Sequence, residues 1–78
     1  MTLSEIKAIV MERYQALPEV DFAYVELHGD TLDVFVHLNA PKNYTLFDKL
    51  NGVAVQLEDY FPYFRLDFEY CGKAEERC

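Results

Sequence analysis

The chain has 78 residues, 51% hydrophobic and 15% aromatic, with seven Lys and Arg against 14 Asp and Glu, a formal charge of −7. That length holds one small domain, and six Phe with six Tyr, each large ring burying roughly 150–250 Å², supply a core without metal or disulfides. The cations Lys7, Arg13, Lys42, Lys49, Arg65, Lys73 and Arg77 form no run, which argues against nucleic-acid and anionic-membrane surfaces, and no apolar run nears the roughly 18 residues of a membrane-spanning helix.

Thr2 with Glu5 three residues later reads as a capping box. Behind it Leu3, Ile6, Val10, Tyr14 and Leu17 recur at helical steps with Ile9 flanking, which predicts a first helix over about 3–17. Pro18 stops it. A short connector, Glu19-Val20-Asp21, leads into the stretch 22–38, which reads as two strands turning at Gly29-Asp30. A two-residue loop there pairs His28 with Thr31, Leu27 with Leu32, Glu26 with Asp33, Val25 with Val34, Tyr24 with Phe35, Ala23 with Val36 and Phe22 with His37. One face of the hairpin is then wholly aliphatic: Ala23, Val25, Leu27, Leu32, Val34 and Val36. A one-residue slip would scatter these side chains over both faces, so this face is the expected core.

The segment 39–44 reads as a loop. Thr45 with Asp48 suggests a second cap, and Leu46, Leu50, Val53, Leu57 and Tyr60 form a second helical stripe, widened by Phe47, Ala54 and Phe61, that Pro62 stops. Gly52 inside this helix, where glycine costs about 1 kcal/mol relative to Ala, is expected to permit a close approach to another element. The segment 63–71 alternates again, with Phe64, Leu66, Phe68 and Tyr70 on one side and Arg65, Asp67, Glu69 and Cys71 on the other. The predicted fold is α+β: a two-layer sandwich in the order α-β-β-α-β, with a three-stranded mixed sheet and two helices on one face. The second strand, its crossover helix and the third strand suit a right-handed unit. Residues 1–72 make the domain and 73–78 a charged flexible tail.

Cys71 and Cys78 are read as free thiols of a reducing cytosol, and residues 1–10 lack the features of a signal peptide. A cytoplasmic location follows as an expectation. No catalytic constellation is evident, since Ser4 is the only serine, the thiols lack a histidine–base pair, and Gly29, Gly52 and Gly72 are isolated. The chain is therefore not expected to be an enzyme or to need a cofactor. The one candidate ligand set is Glu26, His28 and Asp33 on the outer hairpin face. Glu26 and Asp33 are opposed like charges, which either full hydration or a divalent cation between them would reconcile. On the same face Phe22, Tyr24 and Phe35 form an aromatic group that Tyr63 is expected to extend. An exposed group of this kind marks an association surface, for which a second copy packed about a two-fold axis is the first expected partner and a different protein the second.

Two families resemble the chain. The run LPEVDFAYVELHGDTLDVFVHL, the Tyr44-Thr45-Leu46 helix start and the closing EDYFPYFRLDFEY are similar to the cytoplasmic C-terminal domain of cation diffusion facilitator transporters. That resemblance implies a small ferredoxin-like unit that dimerises and binds divalent metal through His and acidic residues. The family's histidine positions are not matched, since His28 stands near the hairpin turn. Leu32-Asp33-Val34-Phe35-Val36 with Arg65-Leu66-Asp67 resembles small nucleotidyltransferases. Here Asp30 follows Gly29 where that family has serine, and Phe35 replaces the second carboxylate, which implies an inactive copy.

Overall fold

Alternation in 20–38 and 65–71 and helical periodicity in the segments between them set the architecture of the computed structural model, which describes residues 2–72. The elements are α1 (Leu3–Gln15), β1 (Val20–His28), β2 (Thr31–Leu38), α2 (Tyr44–Tyr60) and β3 (Arg65–Cys71). The sheet order is β1-β2-β3, with β1 and β2 antiparallel and β3 parallel to β2. This is the expected three-stranded mixed sheet, with β2 in the middle and β1 and β3 as its edges. The tail 73–78 lies outside the described residues.

The hairpin pairs as its turn dictates, from His28↔Thr31 through Phe22↔His37, with an irregularity between Val20 and Phe22 before Val20↔Leu38. Gly29 has φ +65°, a left-handed conformation that costs an ordinary L-residue about 1–2 kcal/mol. β1 therefore begins earlier than expected, taking in Val20, while β3 begins two residues later than expected, at Arg65.

Thr2 caps α1 as read, accepting from the Glu5 amide at 3.2 Å. The helix closes at Gln15 with Ala16 as its cap, and the Leu17 amide bonds the Tyr14 carbonyl at 3.0 Å. At α2 the cap is Asn43, not Thr45: its side chain accepts from the Leu46 amide at 2.9 Å. Ile6, Val10 and Tyr14 of α1 join Leu46, Leu50, Val53 and Leu57 of α2 over Ala23, Val25, Leu32, Val34 and Val36 in one buried cluster. Both helices thus cover the aliphatic face. Arg13 donates to Gln56 between the helices, and Lys49 pairs with Glu19 at 3.0 Å, which draws the Glu19 carboxyl below its ordinary pKa.

Leu27 departs from the expected core, being 40% exposed. The cause is a mismatch of lengths. The 13 residues of α1 rise about 20 Å, whereas the nine of β1 extend about 30 Å. The short link between them keeps the helix over the Val20 end, so the turn end of the edge strand β1 is left uncovered, while Leu32, its partner on the central strand, stays buried.

Gly52 also departs from expectation. It is exposed, and a Cβ added there would meet nothing within 4 Å, so no close approach requires glycine. Gly52→Ala is expected to raise stability by about 0.5–1 kcal/mol. Gly29→Ala should lower it by about 1 kcal/mol although its surroundings are equally open, because there the backbone angle carries the cost. Urea unfolding of both variants checks the pair, and a Gly52→Ala chain less stable than its parent would contradict it.

Candidate functional site: the outer face of the sheet

Residues that alternate with the buried ones cover the sheet face turned away from both helices. Pairing across the strands arranges them in rows: His28, Thr31 and Arg65 at the turn end, then Glu26, Asp33 and Asp67, then Tyr24, Phe35 and Glu69, then Phe22, His37 and Cys71. One half of the face is charged and the other aromatic.

In the aromatic half the rings lie nearly parallel. Phe22 and His37 stack with centroids 4.3 Å apart at 15°, and Tyr24 and Phe35 at 4.9 Å and 19°. Tyr24 also lies 6.2 Å from Phe22 and 6.0 Å from His37, again near-parallel. Cross-strand pairing puts each ring beside the next, and stacking fixes the orientation. Even so, Phe22 is 43% exposed and Tyr24 40%. The three expected interface residues Phe22, Tyr24 and Phe35 are thus brought together, with His37 as a member that the expected grouping omitted. Tyr63 is not with them. It is 91% exposed and precedes Arg65, which pairs with Thr31 beside the turn, so it stands at the opposite end of the sheet from Phe22.

In the charged half Glu26 and Asp33 are opposed as expected, and Asp67 extends their row. His28 Nε2 lies 3.1 Å from Glu26 Oε2 and 3.4 Å from Asp33 Oδ2. An ionised carboxylate only accepts hydrogen bonds, so the contact is a hydrogen bond in the tautomer that carries its proton on Nε2. The three candidate ligands therefore meet as an imidazole–carboxylate cluster. Among the described residues no three His, Cys, Asp or Glu side chains converge on a position able to hold a metal ion.

Between β2 and β3 the face dips into a shallow groove of about 260 Å³ lined by Tyr24, Phe35, Val36, His37, Glu69, Tyr70 and Cys71. The sequence places Glu69, with Asp67, on the face shared with Glu26 and Asp33, and signals Cys71 as a member of the same alternating strand; the groove exists because β3 lies parallel beside β2. Cys71 is disulfide-bonded, which corrects the reading of that residue as a free thiol and removes the support that thiols gave to a reducing cytosol; Cys78 lies outside the described residues. Beneath the sheet, Tyr14 and Tyr70 share a hydrogen bond of 3.0 Å between hydroxyls. Burial pushes both phenols above their ordinary pKa, that of Tyr14 far above.

Among the described residues no helix is long and apolar enough to cross a membrane. No protein-family model, curated protein or solved structure matches the chain.

Proposed function

We propose that this chain is a non-enzymatic binding domain whose working surface is the outer face of the sheet, covered in the assembled state by another protein surface or by a second copy. The observation that carries this reading is the stacked group of Phe22, Tyr24, Phe35 and His37, of which the residues Phe22 and Tyr24 stay about two fifths exposed. A small domain gains nothing for its own fold from that remaining area. Its burial belongs to a partner, and the acidic residues beside the rings supply the polar rim that association surfaces carry.

The competing account is that the rings merely clad the sheet, and stability separates the two. Tyr24→Asp is expected to lower stability by less than about 2 kcal/mol, the worth of one ring pair plus a surface charge. A loss of about 3–5 kcal/mol, the usual cost of deleting a core aromatic, would show that the rings serve the fold and would overturn the proposal. Light scattering over a concentration series then identifies the occupant. A dimeric mass that Tyr24→Asp reduces to monomer assigns the face to a second copy. A dimer indifferent to Tyr24→Asp associates elsewhere and counts against the face. A monomeric parent leaves the face to a different protein.

A further inference from the structure

The groove on the outer face has two unlike walls. Phe35 and His37 of β2, with Tyr24 behind them, form one, and Glu69 and Cys71 of β3 form the other. Val36 and Tyr70 complete the lining, although Val36 is buried and Tyr70 packs against the core, where it meets Tyr14. The groove's volume, about 260 Å³, falls below the roughly 300–1,000 Å³ of small-molecule sites and suits the end of one long side chain. An aromatic wall facing a carboxylate selects a cation. A guanidinium satisfies both walls together, since its plane stacks on a ring while its fork of N–H groups meets a carboxylate; the compact ammonium of lysine does not stack.

Charge narrows the occupant further. Beyond Glu69 the neighbouring row carries Glu26, Asp33 and Asp67, and among the described residues the only basic side chains on the face are Arg65 and the His28 imidazole, which lies against Glu26. A second copy would bring the same carboxylates against these, and opposed like charges suppress a pairing. Glu69 and Asp67 stand two residues apart on β3, which is also the spacing of same-side residues on an extended peptide.

Resting on the outer face as the binding surface, we propose that its occupant is an extended, arginine-bearing segment of another protein. One guanidinium enters the groove between Phe35 and Glu69, and a second cation two residues along reaches Asp67.

The test is an NMR titration of the full chain, in about 0.15 M salt, with the peptide Thr-Arg-Thr-Arg-Thr-Arg-Thr and its lysine counterpart. Saturable shifts centred on Phe35, His37 and Glu69 are expected, with the arginine peptide binding roughly three- to tenfold more tightly. Glu69→Gln should weaken it roughly five- to tenfold. Glu12→Gln, an equal charge loss on α1, should change it less than about twofold, as a long-range surface charge does. Overlaid amide spectra establish that both variants are folded. Equal weakening by both substitutions, equal affinity for both peptides, or no saturable shift would each overturn the proposal. A dimer that Tyr24→Asp disperses, in a chain that ignores both peptides, would keep the outer face as the binding surface and overturn this occupant alone. Saturable binding mapped to the helices would overturn both.

Discussion

A Val34→Asp chain is expected to be unfolded at neutral pH, while Asp33→Asn, one residue earlier, yields a chain at least as stable as the parent. Val34 is fully buried on the central strand, paired with Val25 on one side and Phe68 on the other. No cation on the helices faces it, and an unpaired carboxylate in such surroundings costs several kcal/mol. A domain of this length holds only about 4–12 kcal/mol in total, at about 0.05–0.15 kcal/mol per residue. Asp33, by contrast, stands between Glu26 and Asp67 on the outer face. Removing its charge relieves repulsion worth a few tenths of a kcal/mol, roughly offset by the lost contact with His28. Circular dichroism with urea unfolding reads both variants. A well-folded Val34→Asp chain would mean that the hairpin pairs one residue out of step, exchanging its faces.

The second large effect belongs to Tyr14. Tyr14→Ala is expected to cost about 3–5 kcal/mol through the cavity it leaves, and Tyr14→Phe about 0.5–1.5 kcal/mol through loss of the hydroxyl pair. The two also differ in alkali. Burial is the chief cause that raises both Tyr14 and Tyr70 above the ordinary value of 10.0, with the shared hydrogen bond adding to the rise for Tyr14 and opposing it for Tyr70. Above about pH 10 the unfolded chain releases protons that the folded chain keeps. The unfolded state then binds fewer protons, so stability is full below pH 10 and falls as pH rises beyond it, by about 1.4 kcal/mol per pH unit for each such group. Urea midpoints between about pH 8 and pH 11 should fall more steeply for the parent than for Tyr14→Phe. Parallel curves would remove Tyr14 from this role.

The hairpin was legible because two independent signals agree on it: a Gly-Asp pair that fixes the turn, and alternation that fixes the faces. The α2 cap was not, because Asn43 and Thr45 both offer a side-chain oxygen two residues apart, and sequence does not reveal which backbone leaves the helix. Leu27 and Gly52 were misjudged for a shared reason. Periodicity tells which way a side chain points, whereas burial depends on whether another element reaches that far. The candidate face was half legible. Cross-strand neighbours on β1 and β2 follow from the turn, so Phe22, Tyr24, Phe35, Glu26 and Asp33 fell into place. Everything contributed by β3 depends on a parallel pairing that no local turn encodes, which is why Tyr63 was misplaced and the groove beside Glu69 was not foreseen.

β3 is an edge strand, and its outer-face series Arg65, Asp67, Glu69 bears on how this chain fares when crowded with its own kind. Full antiparallel overlap of two such edges, centred on Phe68, would set Asp67 against Glu69 twice. Parallel stacking in register would set every carboxylate over its own image. Both routes by which a bare strand recruits identical strands into fibrils are thus opposed by charge, and the −7 of the whole chain adds to that opposition. A chain carrying Asp67→Asn and Glu69→Gln, which lacks both charges, is where this edge would begin to aggregate.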